Sequence, residues 1–315
     1  MFVGIDVAKA SVVVAVHPDG ATWTTGTTGR ELRALAERLQ QLAPQLIVLE
    51  ATGGFEVPVL GALAAAELPV SLVQPGRVRH FARAHGQLAK TDVVDARVLA
   101  QYAAQLEATQ YIMPDAVQRD LMLLVARRRQ IDEMLVAERQ RLEQQQVFPS
   151  SPVRADLEET IAFLAAKKRD LDRQLHDHIA AHPRFAEAAA RLGEIPGIGP
   201  ITLATVLAFL PELGTLTRQQ IAALVGVAPM ARESGQWRGT RHIHGGRAAL
   251  RRVMYMATLT AIRCNPWLRP FYTRLRARGK TAKQALVACM RKLVVLLNSM
   301  AKTKQPWRAP LAATA

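Results

Sequence analysis

The sequence predicts an α/β domain followed by an all-α remainder: a mixed sheet with helices, then a long helical hairpin or coiled coil, then a basic helical domain. Three observations predict it. Alternating β-branched segments fill the start of the chain and then interleave with helical spacings. Two long stretches, 115–148 and 154–182, contain neither Gly nor Pro, and the excess positive charge is confined to the last third.

Phe2-Val3-Gly4-Ile5-Asp6 and Ser11-Val12-Val13-Val14-Ala15-Val16 read as adjacent strands, followed by the turn His17-Pro18-Asp19-Gly20. Thr22 to Thr28 is a third strand, and Leu32, Leu35, Leu39 and Leu42 lie on one face of a helix over 30–42. Leu46 to Glu50 is a short buried strand, Pro58 to Ala66 a helix and Val70 to Val73 another strand. Strands that alternate with helices after a meander give a mixed sheet covered by helices. The Gly- and Pro-free stretches are separated by Phe148-Pro149-Ser150-Ser151-Pro152, a helix stop and restart, so they fold back on each other. Leu121, Leu124, Ile131, Leu135 and Leu142 form a seam that a lone hairpin exposes, which predicts a partner helix pair and a homodimer or homotetramer. Further helices are expected over 218–225, 247–263, 267–278 and 281–300. The domains are therefore 1–112, 113–190 and 191–315.

The chain has 315 residues with 41 Lys and Arg against 26 Asp and Glu, a net charge of +15. Residues 1–112 and 113–190 are each at −1, which leaves +17 for 191–315, where no carboxylate side chain follows Glu233. Half of the residues are hydrophobic, so this is a folded basic module rather than a disordered tail, and its natural partner is a polyanion. Two cysteines, Cys264 and Cys289, make neither a disulfide framework nor a zinc ribbon and fit a cytoplasmic protein. The N-terminus has no basic segment ahead of an apolar one, so no export is expected. The mid-chain uncharged run 195–211 is broken by Pro196, Gly197, Gly199 and Pro200, so no membrane partner is expected either.

Four carboxylates stand at informative positions. Asp6 ends the first strand and Glu50 the fourth; Asp92 and Asp95, three apart, share a helix face. Singly, such residues are turn formers and caps. Together they make an oxygen-only pocket suited to Mg²⁺ or Mn²⁺. In the basic domain, Ile195-Pro196-Gly197-Ile198-Gly199-Pro200 reads as the turn of a helix-hairpin-helix module, in which Gly197 and Gly199 let backbone amides approach a phosphate, or as an ordinary helix break. Downstream, Ser234-Gly235 sits among Arg232, Arg238 and Arg241, ahead of Gly245-Gly246-Arg247 and Arg251-Arg252, a layout suited to holding phosphate oxygens. By residue chemistry alone Ser234 reads as a turn residue, because no His-Asp pair adjoins it. His176, His178 and His182 do not share a helix face, and the aromatics are too few and scattered for a stacking platform.

Three segments, Gly4-Ile5-Asp6-Val7-Ala8-Lys9, Leu49-Glu50-Ala51-Thr52-Gly53 and Lys90-Thr91-Asp92-Val93-Val94-Asp95, together with Ala228-Pro229, Ser234-Gly235 and the Gly-rich start of a basic helix, resemble the DEDD transposases of the insertion-sequence 110 family. The resemblance covers residues 1–300. It implies a ribonuclease H-like first domain related to Holliday-junction resolvases, with Asp6, Glu50, Asp92 and Asp95 as catalytic metal ligands. It implies that Ser234 attacks DNA to give a covalent protein–DNA intermediate, with the carboxylates of one subunit serving the serine of another. It also implies double-stranded donor and target DNA and a structured noncoding guide RNA as partners. Members often carry Lys-Gly-Asn where this chain has His244-Gly245-Gly246. Expected nucleic-acid contacts are Lys90, Gly197, Gly199, Arg232, Arg238, Arg241, Arg247, Arg251 and Arg252. The function expected is a DNA transposase or recombinase. Its rivals are a metal-dependent junction endonuclease that uses water and an architectural DNA-binding protein.

Overall fold

The computed structural model describes residues 1–106, 110–145, 151–231, 233, 234, 237–239 and 241–308, with only the backbone at 233, 237 and 238. These form two compact units, Met1–Pro114 and Asp115–Ala315.

The first unit runs β1 (Phe2–Val7), β2 (Ser11–His17), β3 (Thr22–Gly26), α1 (Gly29–Leu42), β4 (Leu46–Glu50), α2 (Glu56–Ala65), β5 (Val70–Val73), α3 (Pro75–Ala84) and α4 (Asp92–Gln105). Its sheet has the order β3-β2-β1-β4-β5. The first three strands are an antiparallel meander, while β4 lies parallel to β1, and β5 to β4. Parallel neighbours need a crossover, which α1 and α2 supply. This is the mixed sheet that the alternation of strands and helices predicts, and it fits a ribonuclease H-like arrangement. Two helices missing from the sequence reading, or left without bounds there, are α3 and α4, and they cover the second face.

Side-chain alternation divides the sheet cleanly. Val3, Ile5, Val12, Val14, Ile47 and Leu49 pack under α1 and α2. Val13, Ala15, Val48 and Val73 point the other way, toward α3 and α4. Burial on both faces explains why Val12 to Val16 is a continuous apolar run rather than an alternating one. Thr28 and Glu31 form a capping box that starts α1.

One glycine sets the distance between the layers. A Cβ on Gly4 of β1 would lie 2.1 Å from the Ala96 carbonyl oxygen and 2.2 Å from the Ala100 amide nitrogen, both backbone atoms of α4. Only the absence of a side chain at Gly4, with the small buried Ala96 and Ala100 opposite, lets α4 close on the sheet.

The second unit contains α5 (Ala116–Gln144), α6 (Pro152–Ala181), α7 (Pro183–Gly193), α8 (Pro200–Phe209), α9 (Arg218–Val225), β6 (Pro229–Met230), β7 (Glu233–Ser234), β8 (Trp237–Arg238), β9 (His242–Ile243), α10 (Ala248–Cys264), α11 (Leu268–Ala277) and α12 (Ala282–Thr303). Arg128 pairs with Asp172 at 2.6 Å, and four residues further along α5 Asp132 pairs with Lys168, four residues back along α6. The two helices are therefore antiparallel, as a stop and restart between them requires.

The seam read from the sequence has a different use from the one expected. Ile131 and Leu135 are buried against Leu164 of α6, and Leu121 is buried in the large core of the unit with Leu124 packed at its edge. A seam satisfied within the hairpin does not itself call for a partner helix pair. The apolar side chains that the hairpin leaves exposed are others, among them Leu123, Met134 and Phe163.

The expected boundary at 190/191 falls inside this unit. Leu121, Val125 and Leu175 at the base of the hairpin share one core with α8 to α12. Buried Gln118 also donates to the carbonyls of Leu207 and Ala208 at 2.9 and 2.7 Å, closing the last turn of α8. The basic region is not wholly helical: β6 pairs with β9 and β7 with β8 in two short ribbons. Glycines and Pro229 between residues 226 and 246 keep this stretch out of a helix. Helix α12 is long and apolar enough to cross a membrane by length and composition alone, yet half of it is buried, with Leu286, Cys289, Leu293 and Leu297 at the centre of the unit. Cys264 is exposed and free, and Cys289 is buried and free.

Candidate active site

The parallel pairing of Ile5 with Leu49 places Asp6 and Glu50 one step further along adjacent strands. Ile5 and Leu49 face α1 and α2, so strand alternation turns Asp6 and Glu50 to the opposite face, the one that α4 covers. Helix α4 begins there: Thr91 caps it by accepting the Val94 amide at 3.3 Å, and Asp92 and Asp95 occupy its first turn. Carboxylates in a first turn are stabilised by the unpaired amides of the helix end. Gly4, two residues before Asp6, then sets how closely this acidic turn approaches the strand ends.

The electrostatics show that the four carboxylates share one field. Burial is the largest influence on Asp6, followed by the charges of Asp92, Asp95 and Glu50, and together they push its carboxyl up to about 6 against the opposing effect of Lys90. Glu50 is raised by burial and by Asp95, with Lys90 opposing. Asp95 is raised by burial, with Lys90 and Arg79 pulling it down and Asp92 pushing it up. Lys90, expected from the sequence to touch nucleic acid, thus stands beside the carboxylates. Arg79 of α3 was not foreseen, because nothing in its local pattern points across to α4.

A second residue that sequence reasoning missed holds the loop after Glu50. The buried Glu56 carboxylate accepts hydrogen bonds from the Thr52 amide at 3.1 Å, the Thr52 hydroxyl at 2.8 Å and the Gly54 amide at 2.7 Å. Burial raises its pKa, but these bonds outweigh burial and keep it below the usual carboxylate range. The signal in the sequence was Thr52 four residues ahead of a Glu at a helix start.

Among the described residues, no three His, Cys, Asp or Glu side chains converge closely enough to grip one ion. Repulsion among like charges favours such a spread. The donor set nonetheless suits a hard divalent cation: it is oxygen-only, half-buried and electrostatically frustrated, so added positive charge would relieve it.

In the second unit, Ser234 is exposed and lies opposite Trp237 in the β7–β8 pair. Arg232 lies outside the described residues, as does the side chain of Arg238. Arg247 is engaged internally: its guanidinium grips both oxygens of Glu212, at 2.7 and 2.5 Å, and donates to the Phe209 carbonyl at 2.8 Å. Burial raises the Glu212 pKa, but the Arg247 hydrogen bond and charge hold it low. Arg251 donates to the Gly245 carbonyl. Arg252 makes an exposed pair with Glu133 at 3.0 Å; such pairs contribute only about 0–1 kcal/mol and yield easily to a phosphate. Arg241 is exposed on the surface.

The two glycines of the α7–α8 turn also separate. Gly197, at φ +101°, abuts α10 so closely that a Cβ would meet atoms of Ala261 at 2.5–2.8 Å, which gives it a packing role. Gly199 caps α8 with open space around it, so its backbone is approachable.

Residues 3–149 match the model of the DEDD transposases of IS110, described as a transposase, and residues 189–273 match the transposase IS116/IS110/IS902 family. The pilin gene-inverting protein of Moraxella bovis is 26% identical over 97% of both chains. An uncharacterized 43.6 kDa protein of insertion element IS110 from Streptomyces coelicolor is 31% identical over 46% of this chain and 35% of its own. The Thermus thermophilus RuvC structure aligns with a TM-score of 0.27 and 19% identity, over 35% of this chain and 98% of that chain.

Proposed function

The chain belongs to the IS110 family of DEDD transposases, and from that premise we propose that it cuts and rejoins DNA strands with Asp6, Glu50, Asp92 and Asp95 at one site and Ser234 as nucleophile. The observation that carries this is the meeting of Asp6 and Glu50, side by side on adjacent strands, with the acidic first turn of α4 on the same face.

Drawn together by the added positive charge, the four carboxylates would hold a divalent cation, Mg²⁺ or Mn²⁺. When bound, it supplies positive charge that stabilises a phosphoryl group under attack. Glu56 and the Thr52–Gly54 loop hold Glu50 in place, and Lys90 tempers the repulsion. The Ser234 oxygen forms a bond to phosphorus as its proton departs, and the strand's own oxygen leaves and takes up a proton. The phosphodiester energy is conserved in the serine ester, so a hydroxyl on another strand reverses the step and rejoins DNA with no nucleotide triphosphate as energy source. Chemistry of that kind suits inversion of a DNA segment, the action for which the Moraxella relative is named. A homodimer or homotetramer would bring the carboxylates of one subunit to the serine of another. A noncoding RNA paired to donor and target would carry the sequence choice, and the reaction belongs in the cytoplasm.

The test is strand cutting on cognate DNA with Mg²⁺. Ser234→Ala is expected to lose cutting by more than ~10³-fold, in line with loss of a covalent nucleophile. Cutting at the wild-type rate would mean that water attacks, and the protein would act as a junction-type endonuclease instead. If Asp92→Asn and Glu50→Gln retain recombination, the carboxylates are structural.

A further inference from the structure

The second unit contains a groove of about 710 Å³ that none of the residues discussed above explains, Arg241 apart. One wall is the β6–β9 pair and the other is the first turns of α12, with the end of α11 between them. Its floor is aliphatic, formed by Val227, Ile243, Leu275 and Val287. Its rim is cationic, with Arg241, Lys280, Lys283 and Arg291, and among the described residues no acidic side chain lines it.

We propose that this groove holds an unpaired stretch of nucleic-acid strand, with a base against the aliphatic floor and the flanking phosphates on the cationic rim. The inference rests on the reading of the basic unit as nucleic-acid-binding and goes beyond it by naming a site and the form of the ligand. The charge is complementary to a polyanion, and a phosphodiester chain is the polyanion that the basic unit is read as binding. The floor discriminates between forms of nucleic acid. A duplex presents sugar and phosphate outward and has no apolar face to bury in a concavity, whereas an unpaired base does. The volume lies in the range that encloses a ligand of nucleotide size, roughly 300–1,000 Å³. Among the described residues the lining holds no Phe, Tyr or Trp, so contact with the base is mainly aliphatic packing beside the His242 imidazole, which tolerates sequence. An enzyme that exchanges strands must expose unpaired segments, and a site for one beside the Ser234 ribbon segment of the chain is chemically apt.

The test measures binding without divalent metal, so no cutting enters it, by fluorescence anisotropy with single-stranded DNA, single-stranded RNA and duplex DNA of one length. Lys283→Glu combined with Arg291→Glu is expected to weaken one or both single strands at least ~10-fold and duplex DNA less than ~3-fold, and to lower the salt slope for the single strand by about 1.4. Ala288→Leu, which fills the groove without changing charge, is expected to weaken the single strand alone. Which single strand responds identifies the source as DNA or RNA. Equal losses on duplex and single strands, or no loss on either single strand, would overturn the proposal. Because Arg291 is half-buried, Lys280→Glu with Lys283→Glu, both exposed, repeats the test if the first pair melts early. Failure here leaves the Ser234 chemistry untouched, and failure of that chemistry leaves this binding intact, so the two are separable.

Discussion

Ionised Asp6 opposes the fold that positions it. Its carboxyl titrates at about 6 in the folded chain, above the ordinary aspartate value of about 3.9 in an unfolded one. The folded state therefore binds the proton more tightly. The penalty is fully present above pH 6, shrinks as pH falls through 6, and is gone below about 4. In the presence of a chelator, Asp6→Asn is expected to raise the melting temperature at pH 7 by a few degrees. This corresponds to about 1 kcal/mol once solvent screening of a half-exposed group is allowed for. The advantage should vanish toward pH 4. Thermal melts across that range check it, and a gain independent of pH would place the effect elsewhere than in the charge. The same variant should lose strand cutting, as expected when a residue is retained for chemistry at the expense of stability.

At the scale of elements, α4 matters because, among the described residues, it is the only acidic helix start on the face of the sheet to which Asp6 and Glu50 turn. Gly4→Ala would force a Cβ into the backbone of α4, which cannot yield as a flexible side chain does. The expected loss is about 3 kcal/mol or more, with strand cutting lost even in molecules that remain folded. Ile5→Val next to it, a shortening toward α1 and α2, is expected to lose only about 1 kcal/mol and to keep activity. Denaturant titration of both variants checks the contrast. The α5–α6 hairpin makes a different prediction. Leu135 is spent inside it, so polar replacement there destabilises the chain rather than separating subunits. Leu123 and Met134, eleven residues or about three turns apart, share an outward face of α5. If that face joins subunits, changing both to Asn lowers the mass seen by light scattering while melting is unchanged; an unaltered mass excludes it.

Across the molecule, the charge divides the labour. The carboxylates lie in a unit near neutrality, and the +17 belongs to residues 191–315, the stretch in which Ser234 stands. Much of this was legible in the sequence, because strand alternation, the Asp-x-x-Asp spacing and the charge gradient are local or additive properties. The order of the sheet and the face to which Asp6 and Glu50 turn followed only from strand pairing. What stayed hidden depends on contacts distant in sequence. Arg79 reaches the cluster from α3, Gly197 is explained by Ala261 more than sixty residues on, and the Arg247 guanidinium is held by Glu212, 35 residues earlier in the chain. The seam of the hairpin misled for the same reason: an apolar stripe says that something covers it, and only tertiary structure says what. The short ribbons around Ser234 were missed because two-residue strands carry no period.

In the proposed reaction a carboxylate site and Ser234 act together on one phosphodiester. This joint action is tested most directly by incubating the protein with cognate DNA and Mg²⁺, denaturing, digesting with protease and nuclease, and weighing the peptides. A nucleotide mass is expected on the peptide that contains Ser234, absent when Glu50→Gln replaces the wild type. Cut strands with no modified peptide, or the nucleotide on another residue, would contradict it.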